Sequence, residues 1–133
     1  MKLILHSDGG ARGNPGPAGI GAILHDEKGL VVAEISKFIG TTTNNQAEYQ
    51  ALIAGLEKAL FLKVDSLDCF LDSELVVKQI NREYKVKNKE LAPLFLQVYN
   101  LLTKLKNVRF IHVPRAHNKE ADRLANEAMD RGI

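Results

Sequence analysis

Four acidic side chains stand where the surrounding apolar pattern turns them inward. Asp8 closes a segment that begins with the apolar run Leu3 to Leu5, and Asp72 directly follows the nearly all-apolar stretch Ser66 to Leu71. Helical steps from Glu48 reach Leu52, Gly55, Leu56 and Ala59, and Asp122 precedes Ala125 and Met129 by three and seven residues. Both acids therefore lie on or beside the apolar stripe of a helix. Carboxylates are rarely buried unless they are paired or bound to a metal ion. Taken singly, Asp72 reads equally well as a helix N-cap, Asp122 as a solvated acid near a helix start, and Glu48 as an acid neutralised by a lysine. Taken together they suggest an acidic cup. Carboxylates about 4 Å apart repel by about 4 kcal/mol at an effective dielectric near 20, more than a surface ion pair offsets. Divalent cations with oxygen ligands solve that problem, and an all-carboxylate set points to Mg²⁺ or Mn²⁺ rather than zinc. Two such ions about 4 Å apart form an arrangement suited to phosphodiester hydrolysis.

The elements that must position these acids follow from periodicity. Leu3 to Asp8 is expected to be a first strand that stops at Asp8, with Gly9, Gly10, Gly13, Gly16 and Gly19 forcing a loop after it. Gly19 to His25 and Leu30 to Phe38 form a hairpin across the turn Asp26 to Gly29. Thr43, Asn44 and Asn45 supply capping side chains for a long helix reaching about Leu62. Ser66 to Leu71 is a fourth strand, and Ser73 caps a short helix through Val76, Val77 and Ile80. A further helix carries Leu91, Leu94, Phe95, Val98, Leu101 and Leu102. A fifth strand, Val108 to Val113, is ended by Pro114, and an amphipathic helix runs from Asn118 to about Arg131. The order βββαβααβα predicts an α/β fold, a mixed central sheet with helices on its faces. The glycine-rich segment lacks the Gly-Lys-Ser/Thr of a phosphate-binding loop. Gly19 to Leu24 continues as strand where a dinucleotide fingerprint would open a helix. A turn-rich loop and close backbone approach to a sugar-phosphate chain both remain as readings of it.

A length of 133 residues suits one domain, residues 1–133, and 45% hydrophobic with 26% charged residues excludes a disordered chain. A formal charge of +2 permits a polyanionic partner without requiring one. The single cysteine, Cys69, lies in an apolar run and reads as a core residue of a protein from a reducing compartment; a cytoplasmic location is expected. No run approaches the roughly 20 apolar residues of a membrane span, so no membrane association is expected. His6, His25 and His112 lie in or beside strands without ligand-like spacing and read as structural.

The stretches Ser7-Asp8-Gly9-Gly10-Ala11-Arg12-Gly13-Asn14-Pro15-Gly16, Thr43-Asn44-Asn45-Gln46-Ala47-Glu48, Leu71-Asp72-Ser73 and Ala121-Asp122-Arg123-Leu124-Ala125 resemble type 1 ribonuclease H in order and spacing, over nearly the whole chain. The resemblance implies the ribonuclease H-like fold, a five-stranded mixed sheet of order 3-2-1-4-5 with helices on both faces. It implies hydrolysis of the RNA strand of RNA·DNA hybrids by two Mg²⁺ ions, with Mn²⁺ a plausible substitute, leaving 3′-hydroxyl and 5′-phosphate ends. Asp8 would touch both ions, Glu48 and Asp72 would complete the shell of one, and Asp122 would hold the other. Glu48 would also meet a ribose hydroxyl. Gly9, Gly10, Arg12 and Asn14 resemble the family's substrate-contacting loop, and Thr43, Asn44, Asn45 and Gln46 its minor-groove and backbone contacts. The 2′-hydroxyl that separates RNA from DNA is within the reach of such short polar groups.

Two features depart from the longer members of that family. The loop Val113 to Lys119 is short, with His117 only five residues before Asp122; His117 reads either as a solvated surface residue or as the catalytic loop histidine, with Arg115 its rival for that role. The short loop resembles a compact bacterial and archaeal branch that includes members with broader substrates, double-stranded RNA or RNA–DNA junctions. The basic protrusion is cut down to Lys78, Arg82, Lys85, Lys87 and Lys89, either a solvated face or a phosphate grip. A non-catalytic hybrid-binding module is a further alternative, which the presence of all four acids disfavours. A monomer is expected, with no obligate protein partner.

Overall fold

Strand alternation and helix capping account for most of the architecture. The structure, a computed structural model, describes residues 1–133. It contains β1 (Lys2–Ala11), β2 (Gly16–Asp26), β3 (Val31–Thr42), α1 (Asn44–Phe61), β4 (Ser66–Leu71), α2 (Glu74–Ile80), α3 (Ala92–Leu102), β5 (Val108–His112), a 3-10 turn at Arg115–His117 and α4 (Lys119–Arg131). One five-stranded sheet has the order β3-β2-β1-β4-β5. β1, β2 and β3 pair antiparallel, whereas β1 with β4 and β4 with β5 run parallel. The expected order and mixed sheet are both present. No helix is long and apolar enough to cross a membrane.

Successive residues of β1 point to opposite faces. Leu3 and Leu5 enter the main core with Leu24, Leu52, Leu56, Leu67, Cys69 and Leu71, between the sheet and α1. Each fully buried leucine there contributes about 1.5–3 kcal/mol relative to exposure. α1 begins with a capping box: Thr43 Oγ1 accepts from the Gln46 backbone N–H (3.2 Å) while Gln46 Oε1 accepts from the Thr43 N–H (3.2 Å). It ends where Lys63 takes a left-handed conformation, φ 58°. On the other side of the sheet, α4 packs against β1, β2 and β3.

The loop in the glycine-rich segment is shorter than its composition suggests, residues 12–15 with Gly13 at φ 102°. β1 runs on through Gly9 and Gly10 to Ala11, β2 already starts at Gly16, and Ala11 pairs with Ala18. The reason is packing rather than turn formation. A Cβ on Gly9 would run into the Ala47 carbonyl of α1, and one on Gly21 into the Ala121 carbonyl of α4. A Cβ on Gly19 would sit 2.6 Å from the Ala125 oxygen. Bare strands let both helices approach at backbone distance, which brings their acidic residues to the sheet. The substitution Gly21→Ala is therefore expected to destabilise the protein by about 1–3 kcal/mol through overpacking. Gly10→Ala, whose new methyl meets nothing nearer than Met129 Cε at 3.7 Å, should stay close to wild type; urea unfolding midpoints compare the two.

Candidate active site

Asp8, Glu48 and Asp72 arrive from three elements. Asp8 lies on β1, on the face opposite Leu5 and level with Gly21 of β2; Asp72 is the first residue past β4, which lies parallel beside β1 with Ser7 opposite Leu71. Asp8 and Asp72 thus stand side by side just past the last β1–β4 pair, where the parallel pairing ends while β1 continues against β2. Glu48, five residues into α1, reaches the same place because Gly9 lets α1 lie against the strand. One carboxylate oxygen from each of the three lies within 4.8 Å of the other two. Asp122, in the first turn of α4, faces the same cleft of about 420 Å³.

The electrostatics of this cup are unfavourable as it stands. Asp8 is 7% exposed, and no ion pair reaches Asp8, Glu48 or Asp72. Glu48 Oε2 is shielded from solvent and has no hydrogen-bond partner. Burial raises the Asp8 pKa from 3.8 to about 7, with the charges of Asp72 and Asp122 adding to the rise. Burial likewise holds Glu48 well above its usual range, reinforced by the neighbouring Asp8 and Asp72 carboxyls. No lysine neutralises Glu48, and Ser73 rather than Asp72 caps α2, its hydroxyl accepting from the Val76 N–H. The bland readings of these two acids thus fall away. An orphaned buried carboxylate oxygen among three converging acids fits an oxygen-liganded divalent cation.

Asp122 is held differently. Its Oδ1 accepts from Arg115 Nη2 (3.3 Å) and from Asn126 Nδ2 (3.2 Å), and Asn126 also donates to the Asp122 carbonyl (2.9 Å). The expectation for His117 changes here. Its ring lines a separate crevice with His6, Ile23, His25, Lys119 and Glu120, whereas Arg115 lines the acidic cleft. The 3-10 turn puts these two side chains on different sides, and of the two it is Arg115 that faces the acidic cleft.

The expected substrate contacts divide into two groups. Gly9, Gly10, Arg12, Asn44 and Asn45 line the cleft; Asn14, Thr43 and Gln46 do not. Asn14 Oδ1 accepts from the Asn44 N–H (3.1 Å), and Asn44 Oδ1 accepts from the Ala11 N–H (2.8 Å), tying the start of α1 to the end of β1. Thr43 and Gln46 are occupied by the capping box. Arg12 is anchored on Asp130 at 2.6 Å. Sequence reading missed Asn126 and Asn118. The Asn126 role was legible as an amide four residues after an acid on one helix. Asn118 sits at the N-cap of α4 but makes no capping bond, because its side chain is engaged elsewhere.

Several known proteins are similar to this chain. Residues 6–128 match the family model described as reverse transcriptase-like. The bifunctional protein Rv2228c of Mycobacterium tuberculosis is 46% identical over 131 residues, 98% of this chain. The chain spans only 36% of that longer protein. Ribonuclease H of Chlorobium chlorochromatii is 33% identical over 144 residues, covering 96% of this chain and 95% of its own length. Among solved structures, LC11-RNase H1 in complex with RNA/DNA hybrid superposes with a TM-score of 0.93 at 46% identity, covering 97% of each chain.

The raised acid pKa values give a signed expectation. An acid whose pKa is higher folded than unfolded favours the fold most at low pH, and that contribution is lost as pH rises through the interval between the two values. For Asp8 the interval runs from 3.8 to about 7. In chelator-treated protein, thermal stability should fall across that range, and Asp8→Asn should remove part of the fall. Added Mg²⁺ should raise the melting temperature more at about pH 7.5 than at about pH 5, since cation and proton compete for the same carboxylates. Equal metal effects at both pH values would contradict a cation-binding cup.

Proposed function

Because the chain belongs to the ribonuclease H family, we propose that it is a metal-dependent endoribonuclease that hydrolyses the RNA strand of RNA·DNA hybrids. The observation that carries this reading is the convergence of Asp8, Glu48 and Asp72 within 4.8 Å without a basic partner. Asp8, Glu48 and Asp72 would hold one Mg²⁺ ion, and Asp122 with Asp8 a second; Mn²⁺ is the expected substitute. When bound, such ions supply charge stabilisation to the reacting phosphodiester and lower the pKa of water. Attack of water at phosphorus with departure of the 3′ oxygen leaves 3′-hydroxyl and 5′-phosphate ends.

The chain's own groups bind and orient the substrate. Gly9 and Gly10 present backbone without side chains at the cleft, and Asn44 and Asn45, at the first turn of α1, offer short amides at a helix end that favours phosphate. These groups suit a shallow minor groove and a ribose 2′-hydroxyl. Arg115, which is 77% exposed and hydrogen-bonded to Asp122, can meet a backbone phosphate while keeping that carboxylate oriented. LC11-RNase H1, the 46% identical structural relative, was solved with an RNA/DNA hybrid, which supports the hybrid as substrate class.

The basic segment 78–89 supplies a second surface. Lys78 lies over the Tyr84 ring and Arg82 over the Tyr99 ring, so both are committed to aromatic partners. Lys85, Lys87 and Lys89 are exposed and free of ion pairs, available to phosphates.

Asp8→Asn assayed with Mg²⁺ and with Mn²⁺ should lose about a thousandfold or more in kcat, taking several kcal/mol of transition-state stabilisation at about 1.4 kcal/mol per tenfold. Hydrolysis at the wild-type rate would end the reading. Labelled hybrid, duplex RNA and RNA–DNA junction run in parallel should show the hybrid cut fastest; faster cleavage of the other two would assign a broader substrate range. Replacing Lys85, Lys87 and Lys89 together by alanine should flatten log affinity against log salt by up to about 3, at about 0.9 per phosphate contact. An unchanged slope removes this segment from the interface.

A further inference from the structure

Asn118 is 1% exposed and touches three parts of the site at once. Its Nδ2 donates to the Ser7 carbonyl of β1 (2.9 Å) and to Asp72 Oδ1 (3.3 Å), while its own backbone carbonyl accepts from the Asp122 N–H (3.1 Å) in the first turn of α4. One residue therefore links β1, the Asp72 carboxylate and the helix that carries Asp122. Both amide hydrogens face oxygen acceptors, so the remaining amide atom, Oδ1, faces His6 Nδ1 at 3.1 Å. An oxygen there requires His6 Nδ1 to carry the hydrogen and donate it. The alternative amide orientation would set Oδ1 against the Ser7 and Asp72 oxygens, acceptor against acceptor, and, wherever His6 Nδ1 carries its hydrogen, an N–H against an N–H. Aromatic stacking holds the His6 ring in that orientation, between His25 (centroids 5.7 Å apart) and Phe70 (5.1 Å), on the same face of β1 as Asp8.

We propose that His6 and Asn118 form a positioning pair for Asp72: the imidazole Nδ1–H fixes which way the amide faces, and the amide then aims the carboxylate into the acidic cup. The pair touches neither substrate nor reacting atoms. Its effect lies in keeping one Asp72 oxygen occupied and the other directed toward Asp8 and Glu48. The inference rests on the proposed role of Asp72 as a cation ligand. Hydrogen-bonding partners of metal ligands commonly change metal affinity or activity by roughly 10–100-fold when removed.

Three variants test it: His6→Phe, which keeps a stacked ring and loses the donor; His6→Asn, whose side-chain N–H replaces Nδ1–H at the same distance from the backbone; and Asn118→Asp, which keeps shape and removes the donor to Asp72. Each is compared with wild type by calorimetric titration of Mg²⁺ and Mn²⁺, by kcat and KM on hybrid, and by thermal unfolding. His6→Phe and Asn118→Asp are expected to weaken metal binding and lower kcat by roughly tenfold or more with KM for hybrid unchanged. His6→Asn should recover most of the loss. If one of the two disruptive variants does not fold, the other carries the test. Wild-type metal affinity and kcat in a folded disruptive variant, or a His6→Asn loss as large as that of His6→Phe, would overturn the pair. Wild-type protein that binds neither ion would instead defeat the proposed function and this inference with it.

Discussion

Mutual repulsion among carboxylates is the constraint on which the rest of this structure depends. Three acids held within 4.8 Å of one another, with no cationic side chain among them, would separate or protonate if the scaffold allowed it. It does not allow separation, because each acid is fixed by an element that packs elsewhere. The main core, built around Leu3, Leu5, Leu52, Leu56, Leu67 and Leu71, fixes β1, α1 and β4 relative to one another whether or not the site carries charge. Burial, with the neighbouring carboxyls adding to it, keeps the pKa values of Asp8 and Glu48 raised in that fixed arrangement.

Close approach of helix to strand makes the convergence possible. α1 and α4 lie on opposite faces of the sheet, and each reaches it through glycines, Gly9 on one side and Gly19 and Gly21 on the other. Side chains at these positions would push the helices outward and carry Glu48 and Asp122 away from Asp8. Of these three, Gly9 also leaves bare backbone at the cleft, beside Gly10.

The polar network around the cup gives each acid a different degree of freedom. Asp122 is held by Arg115 and Asn126, side chains that face the cleft. Asp72 is held from within the protein by Asn118. Glu48 Oε2 is left without a donor. The carboxylate oxygen that is both buried and unpartnered is therefore that of Glu48.

The strand and helix order, the capping of α1 by Thr43, and the burial of Cys69 were legible in the sequence because they depend on local periodicity and on side chains a few residues apart. The identities of Asp8, Glu48, Asp72 and Asp122 were legible too, since an acid within an apolar pattern is conspicuous wherever its partners lie. Sequence misassigned what depends on distances between elements. Gly9, Gly10 and Gly16 read as loop residues because glycine is a local turn signal, whereas all three lie in strands and Gly9 admits α1 to the sheet. His117 and Arg115, two residues apart, could not be ranked until the 3-10 turn sent them to different crevices. Asn118 read as the start of a helix; only the tertiary structure decided that its amide faces His6, Ser7 and Asp72, residues 46 or more positions away, because contact across that separation is set by how the sheet and helices pack.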